Sequence, residues 1–567
     1  MLKNNWPWSV CGFSLFVLFS LWMVYGVPMN MDEALPYHAL SCSGHPNSFW
    51  HIFRESCDHH YDITTPFGLT YSRAYIYVGG LSSFLYAPFY HQFFSEKSQF
   101  VYGILYYMPF MFILSRLTSK PTQSFFLFLA FFPVLFQFVH DTGPIKFSAI
   151  VFVLTPLTYR ILLNKSRSLQ IIGGVAIGSL FGLATEEKVF FVYLLLPLAL
   201  FMLAETHKTA DDKHPVVPLL GRIRSAPWKQ LALFILAETH KSAGQPHPIA
   251  SFLGHIRSMP WKQNLKESLS GPNTGGAFII ALSLTSLIAI SMIFFSTVPS
   301  GQHYLSYIRQ HGLHLSFGRV MDDFKLYILM WPHFAHREYK QASINYGWLL
   351  QLGTLMLKPT SVVVYKRNAP LASCPPLRVR FLLASSFSLL LLSMITGTFW
   401  AGHHYVFAWI PIMVLFAEII AGEKAHQRQR LMAFYFAINL LSVLSLIATK
   451  PIPSTLAERS RIYAYFNEPK RSADSIINYS SWGGYYIHAL YSPRDALVTY
   501  IEPLKTDETA KLMDAAQRTN RKIYNVCSTE QEACSAEKIE QAFSSALRFK
   551  EVPLGLKVWR VYESQTP

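Results

Sequence analysis

The chain has 567 residues, of which 14% are charged and 15% aromatic, and its mean hydropathy is +0.24. Soluble domains carry roughly 25% charged residues, so a chain this poor in charge cannot clothe several separate cores in solvated surface. A soluble multidomain enzyme, a disordered scaffold and a coiled coil are excluded. Lys and Arg outnumber Asp and Glu by 49 to 33, a net charge of +16; in a polytopic membrane protein that excess belongs in cytoplasmic loops, and no nucleic-acid partner is needed to explain it.

A helix that crosses a bilayer needs about 20 mainly apolar residues. The first such stretch is 8–27, preceded by Lys3 and followed by no convincing small-residue cleavage site, and it reads as an uncleaved anchor. Further spans are expected at 99–115, 123–139, 147–163, 170–185, 189–204, 275–297, 344–364, 380–398, 404–421 and 431–448, making eleven. The apolar stretch 74–94 contains Gly79, Gly80, Pro88 and His91 and is read as an interfacial segment. With the N-terminus inside, the inner loops hold Arg116 and Lys120, then Arg160, Lys165 and Arg167, the basic stretch 205–270, Lys358 to Arg380, and Lys424, Arg428 and Arg430. The outer connections hold few cations for their length, which is the positive-inside pattern.

Within the inner loop 205–270 lies most of a tandem repeat. Residues 198–230 recur as 231–263 with 22 of 33 positions identical. Two copies cannot stack into a solenoid, and the duplication sits in a tolerant loop; its paired His207/His240 and Trp228/Trp261 are not expected to be catalytic. The membrane domain therefore covers 1–449, with 28–98 as the first outer loop. From 450 to 567 the chain turns polar, with apolar strings at 496–501, 522–526 and 555–562 and a helical pattern over 506–521. This reads as a small α/β domain on the outer side.

Four of the six cysteines fall outside as two close pairs, Cys42/Cys57 and Cys527/Cys534. Two disulfides in an oxidising compartment are expected, with free thiols as the alternative.

Ionisable groups concentrate at the outer turns. Asp32 and Glu33 follow the first span, in Pro-Met-Asn-Met-Asp-Glu; a solvated helix start stabilised by the helix dipole would explain them equally well if they stood alone. Asp141 follows the third span, Glu186, Glu187 and Lys188 follow the fifth, and Trp400, His403, His404 and Tyr405 precede the tenth. The loop 298–342 adds His303, Tyr304, Arg309, Asp322, Asp323 and Arg337, and Arg73 lies in the first outer loop. Carboxylates for base or metal work, cations for phosphate and aromatics for sugar or lipid are what a site at the membrane–water boundary requires.

These residues carry a resemblance. An outer loop opening with Asp-Glu after the first span, an acidic residue after the third, a Gly-Leu-Ala…Lys segment after the fifth and a His-Tyr…Pro approach to a late span resemble the GT-C membrane glycosyltransferases. The layout is most similar to the protein O-mannosyltransferase and aminoarabinose-lipid A transferase group. The resemblance implies an all-α, GT-C-like membrane domain of about eleven helices followed by a small α/β extracytoplasmic domain. It assigns Asp32 as catalytic base, with Glu33 beside it and Asp141 as the second acidic position. Lys188, Arg73 and Arg309 would meet the donor phosphate, and His403, His404 and Tyr405 would line the donor cavity. No Lys-Pro-Pro motif stands in the first outer loop, where Arg73 is the nearest cation, and the Glu186-Glu187 pair before Lys188 departs from the pattern.

The activity implied is inverting transfer of a hexosyl or pentosyl group from a polyprenyl-phosphate donor to a glycan, lipid or protein acceptor on the non-cytoplasmic face. A bacterial inner membrane, with the C-terminal domain in the periplasm, is the expected location. Some relatives use a divalent metal; Asp32, Asp141, Glu186 and His59/His60 are of ligand type, but their spacing identifies no metal site. The rival reading is a multi-spanning transporter or flippase. It is disfavoured because the spans are almost free of acidic residues and the chain lacks repeated halves.

Overall fold

In the computed structural model the described residues are 6–26, 61–64, 70–73, 96–131, 145–187, 275–295, 406–448, 452–480, 497–500, 506–529 and 534–565, with isolated positions in 134–139 and 191–198 and at Ser385 and His488. The expected spans 344–364 and 380–398 (Ser385 apart), the interfacial segment 74–94, the repeat-bearing loop 205–270, and Cys42 and Cys57 lie outside the described residues.

Helix α1 (Trp6–Gly26) is followed by an antiparallel pair, β1 (Tyr61–Thr64) and β2 (Thr70–Arg73), in which Tyr61 faces Arg73. Strands were not foreseen in this loop. Then come α2 (Glu96–Ser115), α3 (Pro121–Leu129), α4 (Lys146–Leu162), α5 (Arg167–Glu187), α6 (Gly276–Phe295), α7 (Val406–Gly422) and α8 (Ala425–Ala448). Each falls on an expected apolar stretch. Among the described residues, two segments are helical, long and apolar enough to cross a membrane, Pro7–Val24 and Arg167–Thr185; Gly103–Ser115, Gly276–Ser291 and Met413–Gly422 are shorter apolar helices. The full count of eleven thus extends beyond the described residues.

The expected helix 123–139 is not continuous. It ends at Leu129, and Ala130 and Phe131 leave helical geometry before helical positions resume at Val134. The cause is Pro133, which has no N–H to offer and crowds the preceding turn. A helix that stops leaves its last carbonyls without partners. Two tyrosines supply donors: Tyr107 Oη donates to the Phe128 carbonyl and Tyr435 Oη to the Leu127 carbonyl, each at 2.6 Å.

Helices α5 and α6 run parallel and very close. Gly174, Gly178 and Gly182 form a row at every fourth position, and each meets a later part of α6. A Cβ on Gly174 would lie 2.5 Å from the Phe278 carbonyl oxygen, one on Gly178 would lie 2.8 Å from that of Leu282, and one on Gly182 would strike Ala289. Glycine alone permits this approach, the small-residue mode by which helices associate where the hydrophobic effect is absent.

Contacts along the helices define two ends. Glu418 near the end of α7 accepts from the Ser119 amide, in the turn between α2 and α3, and the Lys120 ammonium donates to the Ala421 carbonyl. At the other end, Glu187 closes α5 onto the start of α4 through Ser148. Gly103 near the start of α2 abuts Val139, six residues before Ile145 and α4, so α2 begins at the Glu187 end. In α1, Gly12 abuts Phe126 and Phe16 stacks on Tyr107, so α1 climbs from the Lys120 end towards the Glu187 end. At 1.5 Å per residue the nineteen steps of α2 rise about 28 Å, close to a hydrocarbon core.

Helix α9 (Ile452–Phe466) and α10 (Pro469–Ala473) lead into a C-terminal unit with β3 (Ser475–Tyr479), β4 (Leu497–Tyr500), α11 (Thr506–Thr519), β5 (Lys522–Ser528), α12 (Ala536–Ala542), β6 (Arg548–Glu551) and β7 (Trp559–Gln565). The sheet order is β4-β3-β5-β7-β6; β3 pairs in parallel with β4 and β5, and β7 pairs antiparallel with β5 and β6. Ile476, Ile523, Leu512 and Phe543 bury one face beneath α11 and α12, while Ile477, Tyr479, Val526 and Trp559 bury the other against α9. Buried Glu458 on α9 receives the amides of Lys557, Val558 and Trp559 at 2.9, 2.9 and 3.2 Å, fixing α9 to the start of β7. Cys527 and Cys534 form the expected disulfide; Cys11 is a free thiol.

Candidate functional site

The Glu187 end is built around a buried polar knot. Glu187 is 1% exposed and is the last residue of α5; its Oε2 accepts from the Ser148 amide at 2.8 Å and the Ser148 hydroxyl at 2.7 Å. The cap position of α4 is Ile145, which has no side-chain acceptor to offer. Glu187 therefore does from a different helix what a capping carboxylate normally does locally, satisfying an orphan amide and opposing the positive end of the helix dipole. Lys146, the first residue of α4, is also buried here, at 3% exposure.

Three expected site segments adjoin, in sequence, described helix ends on this side. Lys188 directly follows Glu187, and Asp141 precedes Ile145 by four residues. His403, His404 and Tyr405 run into α7, where Phe407 meets Phe152 of α4 at 5.6 Å and Phe191 at 5.7 Å between ring centres. The side chains of Lys188, Asp141, His403, His404 and Tyr405 lie outside the described residues. Asp32 and Glu33 lie outside them too, six and seven residues beyond Gly26, where α1 leaves the bundle at this end. Arg309, in the connection after α6, is likewise outside. The backbone of Arg73 belongs to β2, opposite Tyr61.

Helix ends thus sort by side. The chain segments that lead to Asp32, Asp141, Lys188, Arg309 and His403 to Tyr405 all depart from or enter at the Glu187 end. The C-terminal unit follows α8 at the same end. The turns bearing Arg116 and Lys120, and Lys424 and Arg428, join at the opposite end. So do the start of α5 and Gly275, where an added Cβ would meet Tyr159 and Leu163 at the end of α4.

Sequence reasoning read Glu187 as one of a pair preceding Lys188 and did not foresee its bond to α4. The available signal was an acidic residue at the end of one apolar helix and a helix start with no capping residue, Ile145-Lys146, at the next turn on the same side. Among the described residues no group of three or more His, Cys, Asp or Glu is placed to hold a metal ion. The residues of ligand type named above lie mostly outside the described set.

No protein-family model matches the chain, and no curated protein matches it. Solved structures similar in fold include the archaeal oligosaccharyltransferase AglB from Archaeoglobus fulgidus in complex with an inhibitory peptide and a dolichol-phosphate. It has 12% identity and a TM-score of 0.43, over 100% of this chain and 75% of that one. The apo form of the Archaeoglobus fulgidus oligosaccharyltransferase has 13% identity and a TM-score of 0.42, over 94% and 70%. At such scores and identities the function of this chain has to be argued from its own residues.

Proposed function

We propose that this chain is an integral membrane glycosyltransferase that takes a sugar from a polyprenyl-phosphate donor and passes it, with inversion, to an acceptor on the non-cytoplasmic face. The observation that carries the reading is that the helix ends flanking Asp32, Asp141, Lys188 and His403 to Tyr405 share one end of the bundle. The reading requires these four turns, far apart in sequence, to converge on one donor headgroup.

The membrane reading is supported by the flanks of the helices. Phe13, Val17 and Leu21 form an exposed stripe on α1, Ile172, Val175 and Leu183 one on α5, and Leu284, Leu287 and Ile288 one on α6. Apolar stripes on several helices of one bundle are costly in water and unremarkable in lipid. The Glu187 end would then face the compartment in which the Cys527–Cys534 disulfide forms, and the Lys120 end the cytoplasm. A bacterial inner membrane with the C-terminal unit in the periplasm fits this arrangement.

Asp32 deprotonates or orients the acceptor hydroxyl, with Glu33 and Asp141 shaping the field around it. The nucleophile attacks the anomeric carbon, the bond to the lipid phosphate breaks, and Lys188, Arg73 and Arg309 balance the charge on the departing phosphate. Glu187 holds the Lys188 and Asp141 turns together while the donor's lipid tail stays in the bilayer.

The test is incubation of the purified full chain with a labelled polyprenyl-phosphate sugar. Product and free lipid phosphate are expected, and Asp32→Asn abolishes both while the protein still inserts and folds. Full activity in Asp32→Asn removes that residue from the mechanism, and uptake or flipping of the donor without cleavage overturns the transferase reading.

A further inference from the structure

The Lys120 end carries a charge arrangement that sugar transfer does not use. Two turns separated by 299 and 301 positions are locked together there: the Ser119 amide donates to Glu418 Oε1 at 2.5 Å, and the Lys120 ammonium donates to the Ala421 carbonyl at 2.9 Å. The join brings Lys120 to the end of α7, at the turn that leads into Lys424 and the start of α8, which carries Arg428. Partial burial, and then the neighbouring Arg428 charge, hold the Lys120 ammonium below the ordinary lysine range.

The surroundings add to the positive potential. Lys120 and Lys424 immediately precede α3 and α8, their carbonyls accept the Ser124 and Arg428 amides at 3.0 and 2.9 Å, and neither helix has an acidic residue in its first turn. Cations at helix starts oppose the dipole, so the sequence places charge here against its local preference. Two carboxylates share the region: Glu418 is engaged by Ser119, and Glu423 lies in the turn before Lys424. Among the described residues, Lys424 and Arg428 have no carboxylate partner. Like charges gathered at one point are a cost of folding that an added anion relieves.

The position of Arg116 identifies the anion. Its guanidinium lies 4.5 Å from the ring centre of Phe112, and that ring is half exposed on the flank of α2. Apolar flank gives way to cationic turn at this level. A phosphodiester above acyl chains satisfies both surfaces, whereas a soluble phosphate would leave the apolar flank unused.

We propose that Lys120, Lys424 and Arg428, with Arg116 at the edge, bind the phosphate headgroup of an anionic phospholipid at the Lys120 end of the bundle. The inference rests on the membrane reading above, not on the transfer chemistry. Full-length protein in detergent is exposed to equal amounts of dioleoylphosphatidylglycerol and dioleoylphosphatidylcholine, and the lipid retained is counted by native mass spectrometry. The intact chain retains the anionic lipid preferentially, and each cation removed lowers that preference about fivefold. Lys120→Gln with Arg428→Gln therefore lowers it about 25-fold, while Arg430→Gln, two positions along α8 from Arg428 and on a different face, leaves it in place. Equal retention of both lipids by the intact chain, an unchanged preference in the double variant, the same loss in Arg430→Gln, or displacement of the lipid by millimolar inorganic phosphate overturns the proposal. Donor cleavage measured on the same samples keeps the two readings apart, because lipid preference can fail with transfer intact, or persist without it.

Discussion

Glu187 and Ser148 join two helices at a point where neither helix could complete itself. The carboxylate ends α5 and takes both the amide and the hydroxyl of Ser148, which lies in the first turn of α4. The bond sets the spacing between the end of α5 and the start of α4.

Glu187→Ala should lower stability by about 1–3 kcal/mol, the range for leaving a buried donor unsatisfied. Thermal unfolding of the detergent-solubilised chain measures it. Glu187→Gln, which keeps one acceptor, should lose less. Both should depress transfer more than they depress donor binding, since the turns drift rather than disappear. Wild-type stability and turnover in Glu187→Ala would remove this residue from its positioning role.

The α5–α6 contact gives a second test. Gly178→Leu would drive a side chain into the Leu282 carbonyl and Thr285, where even a Cβ lies within 2.9 Å of both. Overpacking of this kind costs typically 1–3 kcal/mol, and more where backbone must move. Gly178→Leu should therefore aggregate or elute broadly on size exclusion, with Gly178→Ala intermediate. Gly422→Ala meets no atom within 4 Å and should match the parent.

His488 predicts a pH dependence in the C-terminal unit. It is fully buried, its ring lies against Tyr463, Phe466 and Tyr479, and its Nδ1 bonds the Tyr479 hydroxyl. Burial depresses its pKa from 6.5 to about 3. Between those values the unfolded chain binds a proton that the folded chain refuses. Stability is thus complete above about pH 6.5 and falls by up to about 1.4 kcal/mol per unit as pH drops towards 3. Hydrogen–deuterium exchange across β3 and β7, corrected for intrinsic rate, should show protection declining over that window. In His488→Phe the decline should be much reduced.

The disulfide supplies a fourth. Cys527 and Cys534 close a short loop, with a sequence separation of 7, and the chain-entropy relation gives a stabilisation of about 2–3 kcal/mol for a loop of that size. Cys527→Ser should lower the stability of the C-terminal unit by that order. In the intact chain, neither thiol should react with iodoacetamide until a reductant is added.

The low charge content and the run of apolar stretches determined by themselves that this chain builds long apolar helices and keeps its cations at alternate turns. A 20-residue apolar segment has few alternatives, because its own backbone bonds are the ones it can count on away from water. Local alternation likewise exposed three of the five strands of the C-terminal unit: the strings 496–501, 522–526 and 555–562 each contain or overlap the strands 497–500, 522–528 and 559–565, whereas 475–479 and 548–551 were not foreseen. The apolar content of 123–139 concealed the break at Pro133, because hydropathy is blind to a missing N–H. The hairpin at 61–73 was hidden for a related reason, since two four-residue strands carry too short a pattern to read. Only the tertiary structure could decide that Glu187 caps α4, that three glycines admit α6, and that Lys120 feels the charge of Arg428. Those partners lie 39, about 108 and 308 positions apart, and pairings at such range are settled by which helix ends meet in space, information that no local run of residues contains.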